Sequence, residues 1–416
     1  MKKLLIDIGK KSKRAFENQI STKKKNKVLQ DYNQLIKQNR ELIIKENKKD
    51  IINANKKKIK NNLIQRLELN EKKILDQINS IKRIVKLKDP TNKILEKWKR
   101  PSGLNFSKVS VPIGIIGAIY ESRPNVTSDL ASLCFKSGNC VILKGGSEAF
   151  YSNLILSKLF RKSLKKNNID ENFVQFIKIK KRNVVDFLLT QMSKYIDVMI
   201  PRGGRSLVKK VQSISNVPII GHLEGVCHTY VDKDANLNIA KKVIHNAKLR
   251  NTAICGATET ILFHEKIVKK FSNVILTNLE KNGCKIIGDA KIKKIYNGKA
   301  QKATYKDWAK EYLSATVSVK TVKNLDKAII HINKFGTMHT DCIITQNKRS
   351  AKKFLSKVKS SIAMHNTSTQ FADGGEFGFG GEAGISTNTL PPRGPVGLNQ
   401  LVSYKYQVTS KGKIRK

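Results

Sequence analysis

Cys255 sits in the run NTAICGATET, residues 251–260, one thiol among small side chains. A thiol so placed is either a small buried hydrophobe or, once ionised, a nucleophile, and its neighbours alone leave both readings open. Lys144 closes the apolar stretch CVILK and precedes GGSE. In an open parallel sheet, the end of a strand and the start of the next helix form the crevice that takes nucleotides, so an ammonium there suits a phosphate or a ribose. The alternative is one more surface lysine in a lysine-rich chain. Gly114 and Gly117 follow a strand-like start but make GxxG rather than GxGxxG, and no acidic residue at the expected offset completes a dinucleotide fingerprint. The six cysteines (134, 140, 227, 255, 284 and 342) show neither a CxxC pair nor an adjacent histidine cluster. Free thiols in a reducing compartment are predicted, with no disulfide framework and no metal site.

These residues need elements to hold them. The first hundred residues read as helices: Val28, Leu29, Tyr32, Leu35 and Ile36 share a face, as do Ile74, Leu75, Ile78, Ile81 and Val85, ending at Asp89-Pro90. From Lys108 the texture changes. KVSVPIGIIGAIY is β-branched and punctuated by glycine, and CVILKGGSEAF reads as strand, tight turn and a helix that Ser147 could cap. YIDVMIPRGG, SLVKKV and VPII continue the alternation, which implies βαβ units and a parallel sheet. After Gly225 the rhythm restarts with CHTYV, the helix LNIAKKVIHNAKL, the cysteine turn, TETILF, a helix over 266–282 and CKIIG. TVSVKTV, NLDKAIIHINKF, DCIIT, SAKKFLSKV and SSIAM follow in the same order of strand and helix. A second α/β domain is predicted. The glycine-rich DGGEFGFGGEAG, residues 373–384, is long for a turn and is expected to wrap or cover a site.

Composition bounds the class. A chain of 416 residues predicts two or three domains. No stretch approaches the roughly 18–20 consecutive apolar residues of a membrane span, so a soluble, cytoplasmic protein is expected, with no membrane partner. Lys and Arg total 81 against 32 for Asp and Glu, a net charge of +49. The lysines are spread among Asn and Ile rather than gathered into an arm, aromatic residues are 6%, and no nucleic-acid motif is present. The charge reads as a solvated surface that also favours anionic substrates, with nonspecific RNA adhesion at low salt and no specific nucleic-acid partner.

Several blocks together carry a resemblance: VPIGIIGAIYESRPNVTSDLASLCFKSGNCVILKGGSEA, DVMIPRGG, GHLEGVCHTYVD, NAK followed by ICGATET, and QFADGGEFGFGGEAGIST with RGPVGL and SYKY. In this order they resemble the gamma-glutamyl phosphate reductase family of the aldehyde dehydrogenase superfamily, over about residues 5–410. The resemblance implies an aldehyde dehydrogenase-like α/β fold with two Rossmann-like domains and a small oligomerisation element. The NADP-binding domain would be 1–103 and 123–226, the catalytic domain 227–398, and the oligomerisation element 104–122 with 399–416. A homodimer or tetramer is implied.

By position, the resemblance makes Cys255 the nucleophile and Asn125 of ESRPNVT an oxyanion-stabilising amide. It assigns Lys144, Ser147, Glu148, Pro201, Gly203, Gly204 and Glu311 to the cofactor, NADPH/NADP+. Arg123, His339, Asn366, Ser368 and Arg393 become substrate-binding candidates, with Glu376 and Phe377 nearby. The roles of Glu224, His228 and His339 stay open, and Gln370 and Gly256 depart from the residues common in the family. The implied reaction reduces L-glutamyl 5-phosphate to L-glutamate 5-semialdehyde through a cysteine thioacyl intermediate, in proline biosynthesis, with a transient contact to glutamate 5-kinase. The residues leave two other outcomes. An oxidative or acyl-transferring aldehyde dehydrogenase would need Glu224 for thioester hydrolysis, and an RNA-binding protein would need steep salt dependence and no role for Cys255.

Overall fold

Helices open the chain because side-chain caps and apolar stripes coincide. Ser21 Oγ accepts from Lys24 N to start Thr22–Gln38, and Asn70 Oδ1 accepts from Lys73 N to start Glu71–Lys86. Their inward faces, Val28, Leu29, Tyr32 and Ile36 on one and Ile74, Ile78, Ile81 and Ile84 on the other, are buried, each aliphatic side chain contributing about 1.5–3 kcal/mol. The computed structural model describes residues 1–59 and 61–415; Lys60 of the expected segment 1–103 and Lys416 of 399–416 lie outside the described residues. Contacts divide the chain into two units, one comprising 1–221, 378–384 and 396–416, the other 222–377 and 385–395.

In the first unit the helices cover a four-stranded parallel sheet, in the order Val174–Phe176, Cys140–Gly145, Ile115–Tyr120, Val198–Arg202. The central strands IIGAIY and CVILKG are buried along their whole length, as a sheet clothed on both faces requires. KVSVPIGIIGAIY therefore spans two elements. The chain turns at Gly114, whose φ is +140° and whose missing Cβ makes room for the Asp197 carboxylate. Before it, Asn105–Pro112 pairs antiparallel with Ile94–Lys99 and Val402–Thr409 in a separate three-stranded sheet. Ile94–Lys99 thus lies in that sheet, although it was expected within the segment 1–103. VPII forms only a bridge from Ile219 to Met199. Ser147 does not cap the helix Phe150–Lys166; Asp50 does, accepting from Tyr151 N at 3.1 Å and Ser152 N at 2.8 Å.

The second unit holds seven parallel strands in the order Ala300–Lys302, Lys285–Gly288, Thr316–Val322, Thr258–His264, Cys227–Val231, Thr340–Ile344, Ile362–His365. Alternate side chains feed two cores. Val231, Ile261 and Val319 pack with Ala240, Ile244 and Ile275 of the helices Leu237–Leu249 and Val268–Lys281. Tyr230, Leu262 and Ile343 pack with Ile329, Ile332 and Phe354 of Leu325–Phe335 and Lys348–Lys357. Residues 378–384, expected in a catalytic segment 227–398, make their contacts in the first unit instead.

Candidate active site

Four neighbouring parallel strands, 316–322, 258–264, 227–231 and 340–344, begin at one edge of the seven-stranded sheet. The loops entering them carry Glu311, Cys255, His222 and His339 respectively, so strand order gathers residues far apart in the chain. The cysteine turn is held from two sides. Cys227 Sγ donates to Cys255 O at 3.0 Å, and Gln370 spans the base of the loop, donating to Ala247 O at 2.9 Å and Asn251 O at 3.2 Å while accepting from Arg250 Nε at 2.8 Å. Gly225 packs so closely that a Cβ there would overlap the Cys255 carbonyl oxygen and lie 2.7 Å from its Cβ.

Cys255 is half-buried, and its Sγ and one ring nitrogen each of His222 and His339 lie within 4.8 Å of one another. Burial by itself pushes the thiol up. The His339 and His222 imidazoles, through charge and hydrogen bonding, overcome that and hold it well below the ordinary thiol range. The other five cysteines are buried, and burial raises the thiols of Cys134, Cys140, Cys227, Cys284 and Cys342. Cys255 thus differs from the other five both in exposure and in the direction in which its surroundings move the thiol. His222 Nδ1 lies 2.7 Å from Ile385 O; His339 Nδ1 lies 2.9 Å from Thr340 Oγ1 and 3.5 Å from Cys227 Sγ. His222 was not singled out from the sequence, although it stands in the quoted block GHLEG; only the order of the strands brings it to the sulfur.

Glu311 joins this group. Its Oε1 accepts from Gly225 N at 2.9 Å, and burial, with the negative charge of Cys255 adding to it, raises its carboxyl despite that bond. His228, in contrast, belongs to the framework: its ring and backbone nitrogens both meet Asp341 Oδ1, at 2.9 and 2.7 Å. Asn366 spends its amide on the backbone of Thr345, Ser368 Oγ accepts from Gln370 N, and exposed Arg393 donates to Lys359 O at 2.6 Å. Glu376 and Phe377 are exposed. Beneath the turn, Lys248 and Glu259 form a fully buried ion pair at 2.5 Å.

The remaining candidates cluster at the carboxyl edge of the first unit's sheet. Lys144 is buried, its Nζ donating to Gly145 O at 2.7 Å; burial holds the ammonium below the usual lysine range, with Glu148 opposing. Glu148 Oε1 accepts from Ser122 N at 2.7 Å, while Ser147 is exposed. Pro201 ends a buried strand stretch, and exposed Gly203 and Gly204 lead into the helix Arg205–Ile214, with Gly204 N donating to Glu121 Oε2 at 2.9 Å. Half-buried Arg123 and exposed Asn125 stand at the start of Asn125–Lys136. Asn125 Nδ2 donates to Asp129 Oδ2 at 3.2 Å, and burial pushes the Asp129 carboxyl up to about 6. The helix after Gly204 has no side-chain cap, and a side chain at Gly203 would run into Leu207 and Glu121.

Comparison with known proteins agrees with this layout. The profile of the aldehyde dehydrogenase family matches residues 5–291. Gamma-glutamyl phosphate reductases from Bartonella henselae and Brucella suis are similar to the chain at 41% and 40% identity, covering 98% and 99% of this chain and 99% and 98% of theirs. The crystal structure of gamma-glutamyl phosphate reductase from Thermotoga maritima superposes with a TM-score of 0.96 at 39% identity, covering 99% of this chain and 100% of that one. An acetylating aldehyde dehydrogenase from Geobacillus thermoglucosidasius shares the fold, with a TM-score of 0.70 at 15% identity, over 100% of this chain and 97% of its own. Among the described residues no helix is long and apolar enough to cross a membrane. By these matches the chain belongs to the aldehyde dehydrogenase family, in its gamma-glutamyl phosphate reductase branch.

Proposed function

We propose that the protein reduces L-glutamyl 5-phosphate to L-glutamate 5-semialdehyde and phosphate with NADPH, in proline biosynthesis. The observation that carries this reading is the Cys255 sulfur flanked by His222 and His339 within 4.8 Å. Cys255 Sγ attacks the acyl carbon; the sulfur–carbon bond forms, the carbon–oxygen bond to phosphorus breaks, and phosphate leaves with the electron pair. An acyl phosphate suits this attack because phosphate is a good leaving group where a free carboxylate has none. The Asn125 amide and Cys255 N–H stabilise the oxyanion. Lys144 takes the adenosine ribose and its 2′-phosphate, with Ser147 and Glu148 beside it, Pro201, Gly203 and Gly204 line the cofactor, and Glu311 takes the nicotinamide ribose. When bound, the coenzyme supplies the hydride that reduces the thioester carbon. Glu224 is not assigned as a base, since activated water would hydrolyse the thioester.

The substrate's phosphate and carboxylate call for basic groups, for which Arg123 and Arg393 are the candidates. The exposed side chains of Trp98, Tyr404, Tyr406 and Val408 on the three-stranded sheet, with Val402–Thr409 at its edge, support a homodimer or tetramer formed through that sheet. A transient contact with glutamate 5-kinase would shorten the free life of the acyl phosphate. The test is the reverse reaction: NADP+ reduction by glutamate semialdehyde should depend strictly on inorganic phosphate, and Cys255→Ser should abolish it while the fold is retained. Turnover without phosphate would replace the reductase with a hydrolytic dehydrogenase, and near-normal turnover of the serine variant would remove the thioacyl intermediate.

A further inference from the structure

We infer that Cys255, His222 and His339 form an open three-ligand site for a thiophilic divalent cation of the zinc type, which caps the nucleophile and arrests turnover. The three donor atoms already lie within 4.8 Å of one another. Tetrahedral zinc, with Zn–S near 2.3 Å and Zn–N near 2.0–2.1 Å, holds such atoms about 3.3–3.6 Å apart, so shifts of about 1 Å in side-chain position complete the site. One thiolate and two imidazoles are a donor set that prefers zinc, cobalt or copper to magnesium or calcium. The rings meet nearly edge to face, with centroids 4.9 Å apart and planes at 77°, rather than stacked.

The outer hydrogen bonds orient both rings and fix the tautomer of His222. Ile385 O can only accept, so the proton between it and His222 lies on Nδ1, and the basic lone pair is on Nε2. His339 Nδ1 is engaged by Thr340 Oγ1, and its Nε2 is buried without a hydrogen-bond partner, in a side chain with 0% exposure. Where Thr340 Oγ1 accepts from Nδ1, the His339 lone pair lies on Nε2, the position a cation would take. Cys255 and His222 are only half-buried, so a hydrated cation can enter, and the fourth coordination position is left to water or an anion. Glu311, whose Oε1 accepts from Gly225 N, comes from the loop entering the strand beside that of Cys255.

The inference stands on this geometry and not on the reaction assigned above, and its test reads the metal itself. Full-length, chelator-treated protein titrated with Co2+ should bind one equivalent and show a sulfur-to-cobalt charge-transfer band with tetrahedral ligand-field bands. Zn2+ should displace the cobalt and protect Cys255 from iodoacetamide. Cys255→Ser should remove the charge-transfer band. His222→Asn and His339→Asn should each weaken cobalt binding by about 100-fold or more, and Thr340→Val, which removes only an outer hydrogen bond, by about 10–100-fold. A cobalt spectrum without the sulfur band, affinity unchanged in folded histidine variants, or unhindered alkylation under saturating Zn2+ would each overturn the site. If His339→Asn does not fold, Thr340→Val and His222→Asn decide it. Loss of the reductase reading would leave these spectra unaffected.

Discussion

Replacing Lys248 by Met would expose what a buried ion pair costs under the cysteine turn. Lys248 Nζ and Glu259 Oε2 meet at 2.5 Å with both side chains at 0% exposure, and Glu259 Oε1 also accepts from Leu313 N at 3.3 Å. Burial already pushes the Glu259 carboxyl up to about 7, although Lys248 pulls against it by charge and hydrogen bond. Because this folded value lies above that of the unfolded chain, the carboxyl's contribution to stability is fully present below the unfolded value and is lost as pH rises through about 7. Without Lys248 the folded value climbs further, so the loss continues to grow with pH, by about 1.4 kcal/mol per unit, until the variant's own value is passed. At pH 8.5 an unpaired buried carboxylate should cost about 3–5 kcal/mol. At pH 6 the acid is neutral, and the cost falls to about 1–3 kcal/mol for the lost hydrogen bond. Scanning calorimetry should therefore show the transition of the unit holding this pair lowered by about 6–20 °C at the higher pH and markedly less at the lower. The double variant Lys248→Met/Glu259→Leu should recover most of the loss, because an apolar pair of similar volume replaces the ions. An equal depression at both pH values would refute the reasoning.

Three further outcomes are expected. Asn125→Ala should lower kcat by about 100-fold to 1000-fold, the range for one oxyanion donor; an unchanged steady-state rate removes the amide from the mechanism. Lys144→Ala should raise KM for NADPH well above any effect on KM for NADH, and equal effects would show that the lysine does not read the 2′-phosphate. Gly225→Ala should push the Cys255 backbone aside and slow alkylation of its thiol by at least about 10-fold, since the added Cβ meets a carbonyl rather than a flexible side-chain end; an unaltered alkylation rate would mean that the turn accommodates the methyl group.

Much of the architecture was legible because it repeats with a period. The stripes Val28–Ile36 and Ile74–Val85, the βαβ rhythm from Cys140 and the sequence of elements after Gly225 follow local rules that a linear reading captures. What escaped was set at long range. The break inside KVSVPIGIIGAIY depends on Asp197 filling the space beside Gly114, and the cap of Phe150–Lys166 comes from Asp50, about a hundred residues earlier. The neighbours of Cys255 and Lys144 left their readings open and the family resemblance singled them out, but His222 and the structural service of Gln370 did not stand out. No spacing rule links residue 222 to 255 and 339; that link exists only once the strands entered from those loops lie side by side. His228 shows the reverse. It occupies a conspicuous motif, yet Asp341 claims both its ring and its backbone nitrogen.

Because the strands Thr258–His264, Cys227–Val231 and Thr340–Ile344 must all be laid down before their leading loops converge, the reactive sulfur has a history during synthesis. A ribosome that has released Cys255 but not yet His339 presents a thiol with one of its two imidazoles still to be made. Without both imidazoles that sulfur should behave more like an ordinary cysteine, slower toward electrophiles. If Cys255 is the nucleophile proposed above, a nascent or truncated chain ending before residue 339 would carry it without the imidazole of His339.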